Sequence, residues 1–153
     1  MKKITIFTFA IGLVFLLNAQ DKKANNIDDS HIALQGYSPV SYLDLGLAQK
    51  GTKQFKSTHK KVNYYFTSAE QKKTFEKDPE KYLPQYGGFC AFGIYAGAKF
   101  RPDPNKFITE DGKYFVFLNN LELDAKQLWL AEGDHDKLVT KADDNWEKLK
   151  VKP

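Results

Sequence analysis

The chain carries one cysteine and three histidines in 153 residues, and these four side chains bound the soft-metal and thiol chemistry open to it. Cys90 lies in the stretch PQYGGFCAFG, residues 84–93, directly after the pair Gly87-Gly88 and Phe89. Glycines permit backbone angles that could set the thiol at a helix N-terminus, where partial positive charge lowers its pKa and favours the thiolate. One thiolate with one imidazole suits a soft, low-coordination cation such as Cu(I) or Ag(I) better than a hard one. His59, in a polar turn at 58–61, is the first choice for that imidazole and His31 the second. His135, at the start of the last helical segment, reads as a capping-region or exposed residue. Tyr86, Gly87 and Gly88 form a separate candidate, the lining of a ligand pocket beside the thiol. A nucleophilic cysteine would need a base within hydrogen-bond reach and usually a third group to orient it. No aspartate or histidine is set relative to Cys90 by spacing alone, so no catalytic residue is assigned.

The compartment decides what a lone thiol means. Lys2 and Lys3 precede an apolar run over 4–17, then Asn18-Ala19-Gln20 and a polar stretch. This is the pattern of a secretory signal peptide over 1–19, too short to span a bilayer. The expectation is therefore an exported protein, periplasmic or secreted, with no membrane span after signal removal. Outside the cell cysteines pair into disulfides and so come in even numbers. A single exported thiol must be buried, liganded, reactive, or joined to a second copy in a homodimer. Removing two lysines lowers the formal charge of +4 to about +2, and the remaining lysines are dispersed, so no nucleic-acid footprint is present.

Pattern along the chain predicts an α+β domain of small antiparallel hairpins packed with several short helices and closed by C-terminal amphipathic helices. Residues 20–32 read as a flexible leader and 33–150 as the folded domain, with no internal repeat. Val40 and Tyr42 alternate with Ser41 and Leu43, which predicts a short strand after a turn. A hairpin follows, its second strand at 62–67. Ser68 with Gln71 three residues on is a capping-box pattern opening a helix over 69–77. Asp78-Pro79 starts another short helix. Residues 89–96 read as a helical turn or two, and Asp111-Gly112 turns a second hairpin. Amphipathic segments at 121–131 and 136–149 place Leu121, Leu128 and Trp129 near one stripe and Trp146 on another.

Three stretches, ALQGYSPVSYLD, HKKVNYYFTSAEQKKTFEKDPEKYLPQYGGFCAFG and ADDNWEKL, resemble the YHS-domain family in its single-domain exported form. The similarity spans about 33–149. Compact relatives are described as metal-binding, so the resemblance implies a soft-metal role. Their cysteines stand in a PVCG segment and a YYFCSxxC segment. Here Ser41, Thr67 and Gln71 occupy those places, while Tyr64, Tyr65, Phe66, Ser68, Phe75, Pro79 and Tyr82 remain. Without thiolates, four-cysteine zinc binding at that place is excluded.

Three function classes follow. The first is an exported module binding a soft ion such as Cu(I) through Cys90 with help from His59. The second is a metal-free module for a small molecule or an exported protein partner. The third is a thiol-dependent enzyme.

Overall fold

The computed structural model describes residues 22–153, so the segment 1–19, expected to be a signal peptide, lies outside the described residues. The elements run α1 (Pro39–Asp44), β1 (Thr52–His59), β2 (Val62–Phe66), α2 (Ala69–Lys77), α3 (Ala91–Ala96), β3 (Asp103–Glu110), β4 (Lys113–Phe117), α4 (Ala125–Glu132) and α5 (His135–Leu149), with short 3-10 turns at Ala33–Gly36, Pro79–Tyr82 and Gln85–Gly88. Two antiparallel two-stranded sheets, β1-β2 and β3-β4, pack with these helices, the α+β architecture expected.

Local chemistry explains most element ends. The Ser68 side chain accepts from the Gln71 amide to start α2, and the Asp78 carboxylate accepts from Lys81 N to start the Pro79–Tyr82 turn. Asp124 and Asp134 cap α4 and α5 in the same way. Gly97, at φ +90°, closes α3 in the left-handed region where a side chain is strained. Residues 39–44 are helix instead of the expected strand. Pro39 sits at the first helical position, where its missing N–H costs nothing and its fixed φ suits the helix.

The chain contains an internal repeat that the sequence reading did not find. In the first hairpin Thr52 faces Phe66, the register slips, and Lys56 to His59 face Tyr65 to Val62; in the second Asp103 faces Phe117, slips, and Phe107 to Glu110 face Val116 to Lys113. Every paired position recurs 51 residues later, bulge included. The turn ahead of each hairpin repeats too. Leu34 (φ 51°, ψ 26°) and Gln35 (φ 53°, ψ 27°) match Tyr86 (φ 53°, ψ 38°) and Gly87 (φ 59°, ψ 19°). Gly36 and Gly88 follow at φ 83° and 79°. Ser38 N donates to Gln49 O at 2.8 Å, and its counterpart Cys90 N donates to Phe100 O at 2.9 Å.

Two core clusters flank β4. Tyr114 and Val116 join Leu34, Val40, Tyr42, Tyr64, Phe66, Phe75 and Tyr82 in the first. Phe115 and Phe117 join Tyr86, Cys90, Ile94, Trp129, Leu138 and Ala142 in the second. Strand side chains alternate in direction, so a strand buried on both faces can feed both clusters. Tyr42 stacks on Tyr114 with ring centroids 4.7 Å apart, fastening the first half to the second. The predicted stripe of the 121–131 segment is only partly present: Trp129 is 1% exposed, whereas Leu121 stands fully in solvent and Leu128 is exposed. Trp146 is half-buried.

The leader over residues 24–32 is packed into the fold. Asn26 N donates to Gly87 O at 2.9 Å, its side-chain amide donates to Gly88 O at 3.1 Å, and Asn63 N donates to His31 O at 2.7 Å. The reason lies in the repeat. In the first half Gly36 O accepts from Gly51 N at 2.9 Å. The residue equivalent to Gly51 is Pro102, which has no N–H. Asn26 supplies the donor that Pro102 lacks.

Candidate functional site

Cys90 is the N-cap residue of α3 and is 1% exposed. Its Sγ accepts from Leu118 N at 3.1 Å and from Gly93 N at 3.4 Å, within hydrogen-bond range for sulfur. Burial pushes the thiol pKa up, outweighing the backbone donors that pull it down. The helix-start position foreseen for the thiol is present, but the electron-rich, accessible thiolate is not. A neutral, enclosed thiol is the inert structural kind.

The first half performs the same task with oxygen. Ser38, the counterpart of Cys90, donates through Oγ to Gln71 Oε1 at 2.7 Å, and Thr67 N donates to that same oxygen at 3.3 Å. Thr67 is the counterpart of Leu118, whose amide reaches Cys90 directly. Ser41 Oγ donates to Ser38 O at 2.8 Å, and both serines are fully buried. Ser41, Thr67 and Gln71 are the positions that correspond to cysteines in the YHS motifs the sequence resembles. Here they form a neutral hydrogen-bonded set already engaged with itself, and neutral oxygen donors do not fit a soft ion.

The histidines lie elsewhere. His59 Nε2 is 2.8 Å from Glu80 Oε1, and its ring stands edge-on to Phe75 at 6.3 Å, in the first cluster and not in that of Cys90. Lys60 and His59 together hold the Glu80 carboxyl below its usual pKa. The structure therefore does not bring Cys90 and His59 onto one ion. His31 sits in the leader at φ +56°, its Nδ1 buried without a hydrogen-bond partner among the described residues. His135 is half-buried, its Nδ1 accepting from Trp129 Nε1 at 3.1 Å. Among the described residues no group of three His, Cys, Asp or Glu side chains is placed to hold a metal ion.

Tyr86, Gly87 and Gly88 are engaged within the fold, and none of them lines the cleft described below. The Tyr86 hydroxyl donates to Asp143 Oδ1 at 3.0 Å and the ring is buried in the second cluster. Gly87 is where the leader crosses. A Cβ there would come within 1.8 Å of Ala24 O, so only glycine admits the approach.

Of the clefts among the described residues, one is walled by the leader. It encloses about 300 Å³ between the leader (Asn26, Ile27, Asp28, Ser30, Ile32), Gln35 of the first repeated turn, Lys50 and Arg101. Lys50 and Arg101 precede Gly51 and Pro102, so they are the same position of the two halves. Gln35 ties the halves together at this point, its Nε2 donating to Pro102 O at 2.7 Å. Lys50 Nζ donates to Gln35 O and stands 5.1 Å above the Tyr37 ring. The Arg101 guanidinium, exposed, makes no hydrogen bond or ion pair among the described residues, and Arg101 is the sole arginine of the chain. Sequence reasoning missed this site. Its accessible signal is the 51-residue offset that superposes the hairpin starting at Thr52 on the one starting at Asp103, which puts Lys50 and Arg101 in register two residues before each hairpin.

No family model, no characterised protein and no solved structure matches the chain.

Proposed function

We propose that this chain is an exported, metal-free binding module on a YHS-like scaffold, and that it takes a small molecule in the cleft between the leader, Lys50 and Arg101. The observation that carries the reading is the convergence of two equivalent positions of the repeat on one concave, polar surface of about 300 Å³. That size is at the lower end of small-molecule sites, and convergent polar groups are what fix a ligand's orientation in one. The soft-metal alternative asks for an accessible thiolate and an imidazole beside it. Cys90 offers a shielded thiol held by two amides, and His59 is committed to Glu80. The thiol-enzyme alternative asks for the same accessible sulfur. Among the described residues no helix is long and apolar enough to cross a membrane.

The test is a pair of titrations on the chelator-treated protein. A thermal-shift screen of small metabolites should give at least one saturable stabiliser that persists in the presence of a strong chelator. Cu(I), competed against a chelator, should be taken up equally weakly by the wild type and by Cys90→Ser. Stoichiometric Cu(I) uptake that disappears in Cys90→Ser would restore the metal reading.

A further inference from the structure

We infer that the cleft recognises a small carboxylate, with Arg101 and Lys50 as the anion-binding pair and Asp28 facing the ligand's other end. This rests on the binding-module reading above and adds the ligand class.

The reasoning starts from the repeat. A duplicated turn and hairpin presents the residue two before each hairpin at matching places, and the sequence fills both with a cation, Lys50 and Arg101. Gln35 and Pro102 bring the two halves together there, so both cations reach the same cleft. An unpaired guanidinium offers a fork of N–H donors whose geometry matches a carboxylate bidentately. The Lys50 ammonium spends one N–H on Gln35 O and keeps the others as a mobile point charge.

Asp28 restricts the ligand further. Its Oδ1 accepts from Ser30 N at 2.9 Å and from Ser30 Oγ at 2.5 Å. These bonds, helped by the nearby positive charge of Arg101, hold the carboxyl below its ordinary range, so it is ionised at neutral pH. With two cations and one anion the cleft carries a net charge of +1, which favours a monoanionic group over a multiply charged one. A carboxylate can come from a simple carboxylic acid or from an amino acid, whose ammonium would then face Asp28. The leader forms one wall of the cleft, and it is fixed at both ends, by Asn26 on Gly87 and Gly88 and by His31 O on Asn63 N. The site is therefore preformed.

The experiment is calorimetric or ligand-observed NMR titration of the purified protein with propionate, succinate, glycine, L-alanine, L-glutamate and inorganic phosphate, at low and at physiological salt. At least one carboxylate should bind saturably, and Arg101→Gln should weaken it at least about tenfold with an unchanged melting temperature. Lys50→Gln should weaken it less. Asp28→Asn separates the two sources: it tightens a simple carboxylate and loosens an amino acid. Binding undiminished in Arg101→Gln, or phosphate preferred over every carboxylate, overturns the inference. A neutral compound that binds the cleft while no carboxylate does overturns the ligand class and leaves the module reading standing. If nothing binds, both fall.

Discussion

The two halves hold a tight left-handed turn and a short helix against a bulged hairpin, and they do it with different atoms. In the first half the cap residue is Ser38, which reaches the hairpin's far end through Gln71, an extra side chain from α2. In the second it is Cys90, whose larger sulfur meets the equivalent amide of Leu118 without an intermediary. Gln35 holds its left-handed angle with a full side chain, while Gly87 has none because the leader lies against it. The backbone plan is common to both, and the side chains that satisfy it are set by what else must pass nearby. The comparison also gives the lone cysteine a purpose that needs neither metal nor catalysis.

The largest expected effect tests whether the halves are energetically separate. Phe75, fully buried, anchors the first cluster and Trp129, 1% exposed, the second. Each change to alanine should cost about 3–5 kcal/mol through lost burial and the cavity left behind. Because the rings belong to different clusters, the double variant should lose about the sum, within roughly 0.5 kcal/mol. Denaturant unfolding of the four proteins checks this. A coupling well above that margin would mean that β4, which serves both clusters, transmits strain and that the division into halves is nominal. Trp146→Ala, at a half-buried site, should cost less than either.

What could be read in the sequence was local, and what could not was relational. The second hairpin was legible because Asp111-Gly112 is a turn pair between apolar strands, and α2 because Ser68 and Gln71 announce a cap. The cap differs in one detail: the Gln71 side chain goes to Thr67 N and Ser38, not back to Ser68 N. Residues 39–44 were misread since six residues are too few to separate a period of 2 from one of 3.6, and Val40 and Tyr42 fit both. The repeat escaped notice because it is conserved in backbone angles and pairing register, while Leu34, Gln35 and Ser38 became Tyr86, Gly87 and Cys90. Burial of Cys90 follows from its place under β4, which no pattern around residue 90 displays. The cleft was invisible for the same reason: Asp28, Lys50 and Arg101 meet only through the topology.

An intermediate effect comes from exchanging the residues at the equivalent turn position. Gly87→Gln adds a Cβ where only 1.8 Å separates it from Ala24 O, at a φ of +59°. The left-handed angle alone costs about 1–2 kcal/mol for a side-chain-bearing residue. Lifting the leader also breaks the two Asn26 bonds, so a total loss of at least about 2 kcal/mol is expected. Gln35→Gly relieves the same backbone angle in the first half and gives up one bond to Pro102, so it should fall within about 1 kcal/mol of neutral. Limited proteolysis sharpens the contrast: Gly87→Gln should expose the chain near residues 24–32 to cleavage and Gln35→Gly should not. Equal sensitivity in both would show that the leader is not held at Gly87.

The smallest effect isolates the sulfur. Cys90→Ser keeps an acceptor for the Leu118 amide and should cost under about 1 kcal/mol, whereas Cys90→Ala strands that buried amide and should cost about 1–3 kcal/mol. The pH dependence then tells a shielded thiol from a merely replaceable one. Burial raises the folded-state pKa of Cys90 above its unfolded value. Its contribution to stability is therefore complete below the unfolded thiol pKa of about 8.5 and is lost as pH climbs toward the folded value, since the unfolded chain gives up its proton first. Cys90→Ser lacks that term. Buried Tyr42, Tyr64 and Tyr114 also have raised pKa values, but they are common to both proteins and cancel in the difference. The stability advantage of the wild type over Cys90→Ser should accordingly shrink between pH 7 and pH 10. Parallel curves across that range would mean that the thiol ionises as easily in the fold as out of it, and the pairing of Cys90 with Ser38 as equivalent, sealed caps would fail.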